Sequence, residues 1–287
     1  MTFPLKTLVT LAAAVVVALA PPAAAQNARN ADPASKPTPR LADGHPDLNG
    51  FWAAGRGPDT PVNSAFGPRD PNIKRGEARN AAAQYADPNQ PPYKTELKAK
   101  VEDLAKNESK VDSAFFCKPG GVPRIGPPHS IVQAPGMPIV FLYQVNSGNT
   151  FRLVPTDGRP HDPNMVELYY GDSIGHWERD TLVVDTVGFN EDTWIGIYGW
   201  FHGSMMHVVE RISRVGDTLR YQATVEDPDV FTKPWTMNPW VSVKTNELLM
   251  ENPPCVELDI DHVTSFDEKT SNCESTGSFS ASSADFR

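Results

Sequence analysis

The chain has 287 residues, 39% of them hydrophobic and 21% charged, and a formal net charge of −9. That length suits one large all-β domain or two small ones. Lys and Arg form no long basic stripe, so the electrostatic footprint of a nucleic-acid binder is missing and attraction to anionic lipid is not expected.

Residues 1–25 contain one lysine, Lys6, an apolar run from Leu8 to Ala20, and Ala23-Ala24-Ala25 before Gln26. This is the pattern of a secretory signal peptide cleaved near Ala25. The run is too short for a spanning helix, and no later stretch is apolar for long enough to insert in a membrane. Removing Lys6 takes the formal charge from −9 to −10. A soluble periplasmic or secreted protein acting on a small molecule is the expectation, with the oligomeric state open. In an oxidising compartment Cys117, Cys255 and Cys273 imply one disulfide and one remaining thiol, and a structural role is favoured over a catalytic one.

Residues 26–40 are rich in Ala, Asn, Pro and Lys and read as a flexible mature N-terminus, with structure expected from Leu41. A short strand follows at Gly50-Phe51-Trp52. Residues 53–92, dense in Pro, Asn, Gly and Arg, read as a surface excursion. Tyr93, Leu97, Val101 and Leu104 recur at helical spacing, so residues 93–107 predict one amphipathic helix on the outside of the domain, with Pro91 and Pro92 at its start. The excursion and helix together span about 53–110 of a single domain, 41–269.

From residue 130 the pattern turns to strands: 130–134, 139–145, 150–155, 173–178, 181–187, 205–214, 219–226, 235–243 and 247–251. Turn residues such as Pro135-Gly136 and Val215-Gly216-Asp217 separate them. Residues 270–287 form a Ser-rich tail, expected to be flexible. Many short strands with one helix predict an all-β, mainly antiparallel fold: a lipocalin-like or related β-barrel or sandwich. A barrel of this kind is suited to one interior ligand. No internal repeat suggests a propeller or solenoid.

Several motifs resemble a widespread family of secreted bacterial proteins with no established activity. They are Pro46-Asp47-Leu48-Asn49-Gly50-Phe51-Trp52, Asp157-Gly158-Arg159-Pro160-His161, His207-Val208-Val209-Glu210-Arg211, and the run from Gly175-His176-Trp177-Glu178 through Asp185 to Gly188-Phe189-Asn190. The resemblance covers roughly 41–257. It implies that Cys117 and Cys255 sit at family positions, and so that they form the disulfide.

Chemistry is sought where ionisable groups interrupt apolar strands, because such groups are costly unless paired or used. His207 and Glu210 are three apart on one strand, so they face opposite sides. The reading prefers His207 and Arg211 inside; the alternative puts Glu210 inside with Val208 and Ile212. His207 is the candidate base or ligand, Asp185 its orienting partner, and Arg211 a stabiliser of negative charge. Gly199-Trp200-Phe201-His202-Gly203-Ser204 resembles a lid carrying His202. His129, His161, Trp194 and Trp200 are candidates for binding substrate.

No motif requires a cofactor. His202, His207 and His129 are the residues that a divalent transition metal would use. No phosphate loop or nucleophile elbow is present. The leading expectation is an exported lyase, isomerase or hydrolase acting on a sugar or aromatic molecule by His/Asp acid–base chemistry, with metal assistance open. The alternative is a non-catalytic, lipocalin-like carrier of a small ligand.

Overall fold

The computed structural model describes residues 33–54, 89–145 and 148–251. Among these residues there are ten strands: β1 Gly50–Ala54, β2 Ser130–Val132, β3 Ile139–Val145, β4 Gly148–Val154, β5 Asp172–Glu178, β6 Thr181–Val187, β7 His207–Val215, β8 Thr218–Glu226, β9 Trp235–Thr236 and β10 Trp240–Thr245. Nine follow one path, β4-β3-β2-β1-β10-β8-β7-β6-β5, and β9 attaches to β8. Each step on the path is antiparallel.

Eight antiparallel steps leave the two end strands, β4 and β5, running in the same direction. The ends meet, with the Gly175 amide donating to the Pro155 carbonyl at 2.7 Å. The sheet is thus a nearly closed, barrel-like one with a parallel seam. A Cβ at Gly175 would lie 2.7 Å from Val154 Cγ1, so glycine permits the ends to approach. Parallel neighbours cannot be joined by a tight hairpin and need a long crossover. The seventeen residues from Pro155 to Gly171 provide it.

Alternation fills the interior. Val208, Ile212, Leu219, Tyr221, Ala223 and Val225 point in from β7 and β8, and Ile139, Phe141 and Tyr143 from β3. The Val, Ile, Leu and Phe side chains among them each contribute about 1.5–3 kcal/mol of burial. The expected 235–243 strand is interrupted: Pro239 has no N–H for a ladder, and the run divides into β9 and β10. Residues 247–251 do not form the expected strand. They lie across the β3–β4 hairpin, where Met250 N–H donates to Gln144 at 3.0 Å and Asn149 donates to the Met250 carbonyl at 2.8 Å.

Outside the barrel, a 3-10 turn Thr95–Leu97 leads into α1 Lys98–Lys106, followed by the short α2 Glu108–Val111. Leu97, Val101 and Leu104 pack on the core, as the helical spacing predicts. The β6–β7 connection is a packed plug and not the expected lid. Trp194, Ile195, Trp200 and Phe201 are buried, Trp200 meets Trp235 edge-on at 5.5 Å, and Gly199 lies directly against the α1 backbone at Val101. Order also begins before Leu41. Residues 33–47 strap one end of the barrel through Asp217 N–H to the Pro33 carbonyl, Gly216 N–H to Thr38, and Arg40 to Asp180. Residues 1–25, most of 53–92 and the 270–287 tail lie outside the described residues.

A histidine–carboxylate relay on the outer face of the barrel

Asp185 sits on the outward-facing side of β6, where strand alternation puts it. Its two oxygens serve two histidines: Oδ1 lies 2.9 Å from His161 Nε2, and Oδ2 lies 3.0 Å from His207 Nε2. The other ring nitrogen of His161, Nδ1, is 2.7 Å from Asp172 Oδ2 at the start of β5. On the far side, His207 Nδ1 is 3.7 Å from Glu226 Oε2, a residue directly opposite it on β8. A continuous line therefore crosses four strands: Asp172, His161, Asp185, His207, Glu226.

The crossover explains how His161 reaches this line. It starts at the β4 end of the seam and must travel back outside the barrel to start β5. It is anchored beside β6 by Leu168 N–H to the Gly188 carbonyl and Asn190 N–H to the Leu168 carbonyl, both at 2.9 Å. The side chains of the two histidines and of Asp172 and Asp185 are between one-fifth and just over one-third exposed.

An ionised carboxylate accepts hydrogen bonds only. His161 lies between two of them and satisfies both only as an imidazolium, which donates from both nitrogens, so the pair favours its charged form. Burial pulls its pKa down, but the hydrogen bonds and charges of Asp172 and Asp185 more than offset this, and the pKa is raised above the ordinary histidine value. Burial pushes the Asp185 carboxyl up; its bonds to His161 and His207 win, and its pKa lies below the usual carboxylate value. His207 donates through Nε2, leaving the Nδ1 lone pair facing Glu226 across a gap too long for a hydrogen bond.

This arrangement corrects the preferred orientation of His207. It faces outward with Val209, Arg211 and Ser213, whereas Val208, Glu210, Ile212 and Arg214 face in. The interior acid is bound to an arginine that the sequence reading did not single out. Arg152 Nη1 and Nη2 hold Glu210 at 2.9 and 2.6 Å, and Nη2 also donates to Ser173 and Thr186. Tyr221 adds a bond to Glu210 at 3.0 Å. All these residues are buried. Burial raises the Tyr143 and Tyr221 phenols far above their ordinary pKa.

The other candidates occupy separate places. Arg211 bonds the Glu178 carboxylate on the same face at 2.6 Å, so its charge is spent away from His207. His202 is buried, held by Thr193 at 2.7 Å and the Gly203 carbonyl at 2.8 Å, and burial lowers its pKa. His129 accepts from the Gln144 amide at 3.0 Å and packs edge-on to Tyr143; burial lowers its pKa too. Trp194 and Trp200 are buried in the core. The suggested metal set of His202, His207 and His129 does not come together, and among the described residues no group of three His, Cys, Asp or Glu has the geometry to hold a metal. Cys117 is not a free thiol, while Cys255 and Cys273 lie outside the described residues.

Sequence reasoning found His161, Asp185 and His207 but missed Asp172 and Glu226. Both carboxylates close a strand, at the start of β5 and the end of β8, where an acid looks like ordinary turn chemistry. No family model, curated protein or solved structure matches the chain.

Proposed function

We propose that the chain is an exported enzyme that moves a proton on a small organic molecule, a sugar or an aromatic, with His207 as general base and Asp185 as its orienting partner. The observation that supports this is the Asp185 carboxylate bound to His207 Nε2 at 3.0 Å with Nδ1 left unbonded. His207 Nδ1 takes the substrate proton, and Asp185 stabilises the imidazolium that results. His161, bonded to the other oxygen, helps to keep Asp185 ionised and fixed. His129, Trp194, Trp200, His202 and Arg211 have no part in this reading. A lyase or isomerase step suits it most simply: in an isomerase the proton taken by His207 is returned to another atom of the substrate, and in a lyase the C–H electron pair forms the double bond as the leaving group departs and the proton passes to that group or to water.

The alternative of a carrier with its ligand inside the barrel is not supported, because the Arg152–Glu210 network and the aromatic core occupy that space. Export after cleavage near Ala25, membership of the secreted family that the motifs resemble, and a Cys117–Cys255 disulfide belong to the same proposal. Cys117–Cys255 would appear as one cross-linked peptide in a non-reducing digest.

The test of the reading is a panel of sugars and aromatic acids incubated in deuterated water and followed by NMR. Wild-type protein should consume one of them or wash deuterium into it, and His207→Gln and Asp185→Asn should each lower that rate by about two orders of magnitude or more. Equal turnover by wild type and both variants would overturn the assignment.

A further inference from the structure

A second feature lies at the strapped end of the barrel, and it does not depend on the acid–base reading. A cavity of about 660 Å³ opens there among the N-terminal strap, the β2–β3 turn, the start of the crossover and Trp177. That volume falls within the range of small-molecule sites, and barrel mouths are a recurrent place for them. Its walls include Leu41, Ala134, Met137, Ile139 and Pro155. Met137 is 64% exposed. His45 stacks on one face of Trp177 with centroids 4.5 Å apart, which fixes the indole as a rigid wall.

Several polar groups at the rim are bonded within the protein. Arg159 clasps Asp157 through Nε at 2.9 Å. Gln133 Oε1 accepts from the Leu48 amide, and Asp43 accepts from the His45 amide at 3.0 Å. The carboxylates of Asp43 and Asp157 against the one guanidinium of Arg159 leave the rim with one excess negative charge. That charge disfavours an anion, and the apolar walls and the Trp177 ring offer contact and stacking.

We infer that this cavity is a binding site for a neutral apolar molecule of two or more rings, held against Trp177 and Met137. The strap is part of the site: Arg40, bonded to Asp180 at 2.7 and 2.8 Å, fixes the segment that carries Leu41 and Ala42 over the opening.

The test uses the mature full-length protein and two fluorescent probes of similar size, neutral N-phenyl-1-naphthylamine and anionic 1-anilinonaphthalene-8-sulfonate. The neutral probe should bind saturably at one site, several-fold tighter than the sulfonate, and should shift the methyl NMR signals of Met137 and Ile139. Met137→Glu puts a charge in an exposed wall with no cost to folding, and should weaken binding about tenfold or more. Ala134→Trp, also at an exposed position, should take up part of the cavity and weaken binding. No saturable binding, binding unchanged in both variants, or tighter binding of the sulfonate would each overturn the inference.

Discussion

His161 and His207 share one carboxylate yet stand in opposite protonation roles. His161 is hydrogen-bonded to two carboxylates, which favour its charged form; His207 is hydrogen-bonded to one, and its second nitrogen faces Glu226 at 3.7 Å with no hydrogen bond to it. The pH dependence follows from the signs. A histidine whose pKa is raised on folding contributes stability that is fully present below its ordinary pKa of about 6.5. That contribution is lost as the pH rises through the folded value. Asp185, with a lowered pKa, contributes above the ordinary carboxylate range, and this is lost as the pH falls through its folded value. The crossover is therefore pinned most firmly between these limits. Asp172→Asn should lower the His161 pKa and let the crossover amides exchange faster on the alkaline side. An unchanged His161 titration would contradict this. Inside the barrel, Glu210→Leu or Arg152→Met leaves a buried partner unmatched and should cost about 3–5 kcal/mol in denaturant unfolding. The double change Arg152→Met with Glu210→Leu should cost less than the two single losses combined. Additive losses would mean that the two residues do not act as a pair.

At the scale of elements, the seam controls where the site forms. An odd number of strands joined only by antiparallel steps must close in parallel, and a parallel closure demands the crossover that brings His161 to Asp185. Gly175 is the residue that lets the ends meet. Gly175→Val would press on Val154 and Thr156 and should destabilise the protein by about 1–3 kcal/mol. It should also loosen the crossover, visible as faster exchange of the Leu168 amide; a stable variant with unchanged exchange would show that the seam does not hold the crossover. Strand positions were legible from alternation and turn residues, and α1 from its 3.6 spacing. Strand faces were not. On β4 the exposed side chains are Phe151 and Leu153, while Arg152 points inward. Polarity alone gives the reverse, because the partner that makes an inward arginine tolerable, Glu210, lies 58 positions away in the chain.

For the molecule as a whole, the same limit applies to the site. Asp185 and His207 stood out as ionisable groups in apolar strands, but their union with His161 depends on a crossover whose path no local pattern encodes. The aromatic loop around His202 looked functional by composition and turned out to be packing, since Trp200 and Phe201 fill the space between the barrel and α1. The account divides the surface into two places: a proton relay on the outer face and an apolar cavity at the strapped end. The relay is the central claim, and nitrogen-15 NMR of the histidine side chains, titrated through the neutral range, tests it without any substrate. His161 should titrate above the ordinary histidine value, with protons on both nitrogens below its midpoint, and neutral His207 should carry its proton on Nε2 with Nδ1 bare. A His161 midpoint at or below the ordinary value, or a His207 protonated on Nδ1 in its neutral form, would contradict the relay.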